Sequence, residues 1–122
     1  VNAAYDPNYP SVFEKKNTSY FGRGIVFNKF TGSRGKSGSN DANAEYVAYV
    51  RAAMEKDGVA YQMSELGKVD AGGGGTIAYI LANYGMNVMD CGVAVQNMHA
   101  PYEVTNKIDI YETMRGYKAF LK

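Results

Sequence analysis

Apolar residues recur along the chain at two spacings, and the spacings predict its elements. Gly24-Ile25-Val26-Phe27 is a short unbroken apolar run, the pattern of a buried strand. From Asp41 or Ala42 to about Lys56, residues Val47, Val50 and Met54 fall three and four apart and give a helix one apolar face. Asn40 or Asp41 is placed to cap that helix, and Asp57-Gly58 to end it. Val59 to Met63 reads as the next strand. A second helix is expected from Thr76, with Ile77, Ile80, Leu81 and Tyr84 on one face and Gly85 as its stop. A third strand lies within Met86 to Val95, at Asn87 to Gly92. A last helix runs from about Thr105 to Phe120, with Ile110, Met114, Tyr117 and Leu121 on one face.

Strand and helix thus alternate three times. That order predicts an α/β fold, a three-layer αβα arrangement on a mostly parallel sheet with right-handed crossovers. Ahead of it, residues 1–23 are rich in turn formers such as Asp6-Pro7-Asn8-Tyr9-Pro10 and read as an extended surface segment. With 122 residues, a single domain is the natural expectation.

Composition narrows the function classes. A hydrophobic share of 46% suits a packed core and argues against disorder. A net charge of +1 gives no broad attraction to nucleic acid or to anionic lipid, so neither is an expected partner. No apolar run approaches the ~20 residues that span a bilayer, and Val1 to Tyr5 lacks the layout of a signal peptide. The one cysteine, Cys91, cannot form an internal disulfide, which fits a reducing, cytoplasmic setting. In its apolar surroundings it reads as a small buried hydrophobe rather than a reactive thiol. The eleven tyrosines scatter over the expected helix faces, as core or interface packing requires.

Candidate chemistry gathers in two loops. In open parallel sheets ligands bind beyond the carboxyl ends of the strands. The loop after the second expected strand carries Asp70 and Gly72, Gly73, Gly74 and Gly75; the loop after the third carries His99, the only histidine. Topology therefore predicts that both face one cleft. The glycines allow close backbone approach by a ligand and lead into a helix start, where free N–H groups favour an anion. A small phosphate- or nucleotide-binding module is one reading of that loop. The Walker pattern is not met, because Phe30 stands where the glycine ahead of Gly35-Lys36-Ser37 is required. His99 is either a structural histidine or one ligand of a metal site, with Asp70, Asp90 and Glu103 the other donors in reach by sequence. None of them makes a known metal-binding spacing with it. Glu103 either orients the imidazole or, near the start of the last helix, complements the helix dipole. Lys29, Arg34 and Lys36 form a loose basic group, either solvated or able to recognise a carboxylate.

Taken in order, several segments resemble the carboxyl-terminal part of the aspartyl aminopeptidase-like zinc metallopeptidases, family eighteen of the metallopeptidases, and its bacterial members above all. They are Ala4 to Tyr9, Thr31 to Gly35, Ser39 to Glu45, Glu65 to Thr76, Asp90 to Ala94 and Met98 to Glu103. The resemblance implies a dinuclear-metal aminopeptidase that removes N-terminal residues from peptides, usually with zinc, cobalt or manganese being alternatives. It implies large tetrahedral homo-oligomers. It makes His99 the last metal ligand in chain order, has Gly72 to Gly75 wall the substrate pocket, and matches Lys29 to a substrate-contacting basic residue. Ser37 replaces a tyrosine found in some acidic-preferring members, which weakens any claim to aspartyl specificity, and Ala100 replaces the usual serine after Met-His. The earlier ligands of the family, a His-x-Asp segment, a bridging Asp and a Glu-Glu pair that includes the general base, have no counterpart in this sequence. A further ligand Asp is expected immediately ahead of Val1. The remaining, N-terminal part of the same enzyme is therefore an expected partner, and the isolated chain is expected to be inactive.

Overall fold

The computed structural model describes residues 2–32, 39–68, 71 and 75–122. In chain order these form β1 (Asn2–Ala3), a single 3-10 turn at Pro10–Val12, β2 (Ile25–Thr31), β3 (Asn40–Asp41), α1 (Ala44–Lys56), β4 (Tyr61–Glu65), α2 (Ala78–Ala82), β5 (Asp90–Gly92), β6 (Ala94–Gln96), β7 (Val104–Thr105) and α3 (Lys107–Phe120). The α/β class holds.

Strand β2 is the axis of the main sheet. β4 runs parallel along one edge, with Ile25 opposite Tyr61 and Phe30 opposite Glu65. The other edge is shared by β5 and β3, both antiparallel, with Phe27 opposite Cys91 and Thr31 opposite Asn40. A small second sheet has β6 at its centre, parallel to β1 and antiparallel to β7. The expected third parallel strand is thus split at Val93 into β5, which runs against β2, and β6, which leaves for the other sheet.

The alternation of side chains along β2 separates two packed layers. Ile25 and Phe27 face α1 and α3, in a cluster with Val50, Met54, Val59 and Ala119. Met54 is 1% exposed, and burying such a side chain contributes about 1.5–3 kcal/mol. Val26 faces the other way, onto Ala4 and Ala94 of the small sheet. Beside it the layer is polar. The Asn2 amide donates to the hydroxyls of Ser19 and Ser64 at 2.9 and 2.7 Å, and the Ser64 hydroxyl donates to Asn28 Oδ1 at 2.9 Å. This side-chain chain fastens β1 to β4 and β2. Residues 1–23 are therefore more than a surface segment: Asn2, Ala4, Thr18 and Ser19 are buried between the sheets.

Helix α1 begins later than its expected caps. Asn40 and Asp41 pair with β2, and Asn43 takes over, its side chain accepting from the Tyr46 N–H at 2.7 Å. Such a cap stabilises a helix by ~1 kcal/mol. Val50 and Met54 are buried as expected, and Gly58 closes the end at a φ of 62°.

The last two helices depart further from the pattern. α2 is a short piece whose Ile77, Ile80, Leu81 and Tyr84 are all exposed, while Ala78 is buried. α3 is turned so that Ile110, Met114 and, just past its end, Leu121 are exposed, Tyr117 is half exposed with its hydroxyl beside Cys91, and Asp109, Glu112, Thr113, Gly116 and Ala119 point inward. The inward carboxylates have main-chain work. Asp109 accepts from the N–H groups of Gly22 and Gly24, each at 2.8 Å, and Glu112 from that of Ala60 at 2.7 Å. Gly116 then brings the helix against β2: a Cβ there would lie 3.2 Å from Ile25 Cδ1. Satisfying the N–H groups at the starts of two strands outweighs apolar burial by the outer residues.

Candidate functional site

The carboxyl ends of the strands can be traced residue by residue. At the end of β2, the Thr76 hydroxyl lies 3.4 Å from that of Thr31. The same hydroxyl donates to Asp90 Oδ2 at 2.8 Å and accepts from the Ala78 N–H at 3.3 Å. Thr76 is therefore held between the end of β2 and the start of β5. Beyond β4, the Lys68 N–H donates to the Val12 carbonyl at 2.9 Å. Val12 also lines a recess of about 280 Å³ with Phe13, Val95, Asn97 and Met98. Val12 is thus bonded to the segment after β4 and lines the same recess as Asn97 and Met98.

His99 itself is exposed. It sits in loop 97–103, the connection between β6 and β7, and its backbone is left-handed at a φ of 67°, as is that of Asn97 at 56°. Few non-glycine residues adopt this conformation, although Asn and His are among those that do. Two hydrogen bonds close the loop. The Ala100 N–H donates to the Asn97 carbonyl at 2.9 Å, and the His99 N–H donates to Glu103 Oε1 at 2.6 Å. Glu103 precedes β7 and lies outside α3, whose cap is Asn106, so the helix-dipole reading of Glu103 does not hold.

The other candidates are accounted for as follows. Lys29, on β2 close to Thr31, forms an ion pair with Asp41 while its side chain remains 43% exposed. Asp90 is engaged by Thr76. Gly75 is exposed beside Thr76. Asp70, Gly72, Gly73, Gly74, Arg34 and Lys36 lie outside the described residues. Among the described residues no three His, Cys, Asp or Glu side chains come together as a metal-holding group. What His99 does offer a metal is a single exposed imidazole on a constrained backbone, which suits one ligand of a larger set.

Reasoning from sequence missed Thr76, which is bonded at the ends of β2 and β5, and Asn97, which closes the His99 turn. Thr76 carried a signal, a threonine at a helix start; Asn97, one of the residue types that tolerate left-handed backbone, carried a fainter one.

An apolar recess lies between β2 and the helices α1 and α3. It has a volume of about 270 Å³, is lined by apolar groups such as Ile25 and Met54, and has Cys91 and Tyr117 on its wall. Burial pushes the Cys91 thiol up, although its contact with the Tyr117 hydroxyl at 3.8 Å works the other way. The Tyr117 phenol is raised by the neighbouring Cys91 and by its own burial. Both groups stay neutral near pH 7, and this face reads as packing.

A family model described as "Aminopeptidase I zinc metalloprotease (M18)" matches residues 1–121. A probable M18 family aminopeptidase 1 of Clostridium acetobutylicum is 68% identical over 121 residues, covering 99% of this chain and 26% of that protein. The crystal structure of aminopeptidase I from that organism superposes with a TM-score of 0.92 at 67% identity, over 99% of this chain and 26% of that one. An M18 family aminopeptidase structure from Thermotoga maritima gives 0.93 at 44% identity, over 100% and 27%. A Saccharomyces cerevisiae mApe1 dodecamer is similar in fold alone, with a TM-score of 0.78 at 24% identity over 99% and 25%. The chain spans about a quarter of the length of the curated relatives it matches. Matches running along the whole chain overturn the phosphate-module reading. The geometry agrees, since α2 has only 5 residues and little dipole to offer an anion.

Proposed function

The chain belongs to the M18 family of zinc aminopeptidases, and on that premise we propose that it is the carboxyl-terminal part of a catalytic domain that removes N-terminal residues from peptides. His99 holds one of two divalent metal ions, zinc in the first instance. The observation that supports this reading is the exposed, left-handed His99 on a loop closed by its own hydrogen bonds. When bound, zinc supplies Lewis-acid polarisation of a carbonyl and acidifies water.

The chain's own residues supply placement. The imidazole of His99 would offer a nitrogen lone pair to the metal. Gly72 to Gly75 wall the pocket and let a peptide backbone approach closely. Lys29, paired with Asp41 and half exposed, is positioned to exchange that carboxylate for one on an acidic substrate. The remaining ligands and the general base come from the rest of the enzyme, which works as a cytoplasmic homo-oligomer. Among the described residues, no helix is long and apolar enough to cross a membrane.

The test is metal content and peptide hydrolysis by the full-length enzyme and its His99→Ala variant. The wild type is expected to bind two metals per protomer and release N-terminal residues. The variant should keep its fold, hold one metal tightly and lose at least about a hundredfold in turnover. Full metal content and full activity in the variant would refute the assignment.

A further inference from the structure

The contact between Glu103 and His99 runs to the backbone of the histidine. A carboxylate that orients a metal-binding histidine usually takes the second ring N–H. Here it takes the main-chain N–H at 2.6 Å. The bond crosses a loop whose ends are already fixed: Gln96 pairs with Val104, Val95 with Thr105, and the Thr105 hydroxyl donates to the Ala94 carbonyl at 2.8 Å. Within that frame the chain must reverse around Met98, which lines the recess beside Val12. It does so with left-handed residues on both sides, Asn97 and His99. Left-handed backbone is disfavoured for a histidine unless its surroundings hold it there.

We infer that Glu103 is a positioning residue that locks His99 in its left-handed conformation through the backbone N–H, and that tight metal binding by the imidazole depends on this lock. Without it His99 relaxes toward ordinary backbone angles and the imidazole swings away from the rim. The side-chain charge of Glu103 is secondary: an acceptor oxygen at that distance is what the loop needs. Asn97 serves the same end from the other side, its carbonyl closing the turn onto the Ala100 N–H at 2.9 Å.

This inference rests on His99 being a metal ligand, and the experiment keeps the two apart. Zinc affinity of the full-length enzyme is measured by competition with a chromogenic chelator, alongside a crystal structure of each metal-free variant. His99→Ala tests the ligand reading alone; unchanged affinity there sinks that reading and the inference with it. Given a loss in that variant, Glu103→Ala should weaken zinc ten- to a hundredfold and move the backbone at residue 99 out of the left-handed region. Glu103→Gln, which keeps an acceptor of the same reach, should restore both. A folded Glu103→Ala protein that binds zinc like the wild type would overturn the inference. So would a Glu103→Gln protein as weak as Glu103→Ala, which would point to charge rather than the N–H lock. Should Glu103→Ala not fold, Asn97 decides. Asn97→Gly tolerates the left-handed turn and should bind normally, whereas Asn97→Val opposes it and should lose affinity. Equal zinc affinity in those two variants would also overturn the inference.

Discussion

Among the described glycines, Gly24 leaves the least room for a side chain, and its replacement by alanine should be severe. Gly24 sits at a φ of 83° at the entrance to β2, and a Cβ there would lie 1.9 Å from the Ala60 carbonyl oxygen and 2.4 Å from its carbon. Both are backbone atoms, so no side chain can swing aside. That carbonyl accepts from the Ile25 N–H at 3.1 Å, next to the first β2–β4 register pair, and the Gly24 N–H donates to Asp109. The left-handed conformation costs an L-residue about 1–2 kcal/mol. Displacing the Ala60 carbonyl removes a backbone bond of about 0.5–1.5 kcal/mol, and disturbing the Asp109 bond forfeits about 1.5–3 kcal/mol. The expected loss is therefore about 3–6 kcal/mol, against the ~5–15 kcal/mol that holds a typical domain together. Gly58 is the internal control. It too is left-handed, at 62°, but nothing lies within 4 Å of its Cβ position, so Gly58→Ala should cost only about 1 kcal/mol. Urea denaturation of the full-length enzyme, with hydrogen exchange at the Ile25 amide as the local probe, compares the two. If Gly24→Ala proves no more destabilising than Gly58→Ala, the clash argument is wrong.

Two further outcomes follow from buried polar groups. Asn2→Ala should destabilise the enzyme by about 2–4 kcal/mol, since both amide protons are used by buried serine hydroxyls and a cavity is left behind; a urea midpoint shift below about 0.5 kcal/mol would show the network to be dispensable. Glu112 governs an acid-side effect. The Ala60 N–H holds its carboxyl below the ordinary value of about 4.5; Arg115 pulls the same way, and burial opposes them. A carboxyl depressed on folding contributes stability that is complete above the unfolded value and lost as pH falls through the folded one. Wild type should thus lose more stability than Glu112→Gln on acidification below about pH 4.5, measured as urea midpoints across that range, and parallel profiles would contradict it.

What the chain reveals by eye divides along physical lines. β2 and the body of α1 were legible because their apolar residues pack inside this segment: Ile25, Phe27, Val50 and Met54 close on one another. α3 misled because periodicity records which residues are apolar, while its inward face was decided by unpaired N–H groups at Gly22, Gly24 and Ala60. β5 and β6 could not be separated because Val93, where the chain changes sheets, differs in no way from its apolar neighbours. In loop 97–103, His99 stood out as the one histidine while its left-handed backbone did not, since conformation at a single loop residue is set by the hairpin around it. Glu103 was singled out with two readings, orienting the imidazole or complementing the helix dipole, and its side chain meets the main-chain N–H of His99.

The two carboxylates under α3 work as indexing pins. Asp109 grips the turn that opens β2 and Glu112 the residue that opens β4, three positions further along the same helix. Two fixed points on a rigid rod allow neither rotation nor axial slip, so α3 sets the stagger of the two parallel strands as a key sets the tumblers of a lock. The outward residues of that helix are then free to diversify to suit whatever lies against them, and mutational tolerance should change sharply from one side of the rod to the other.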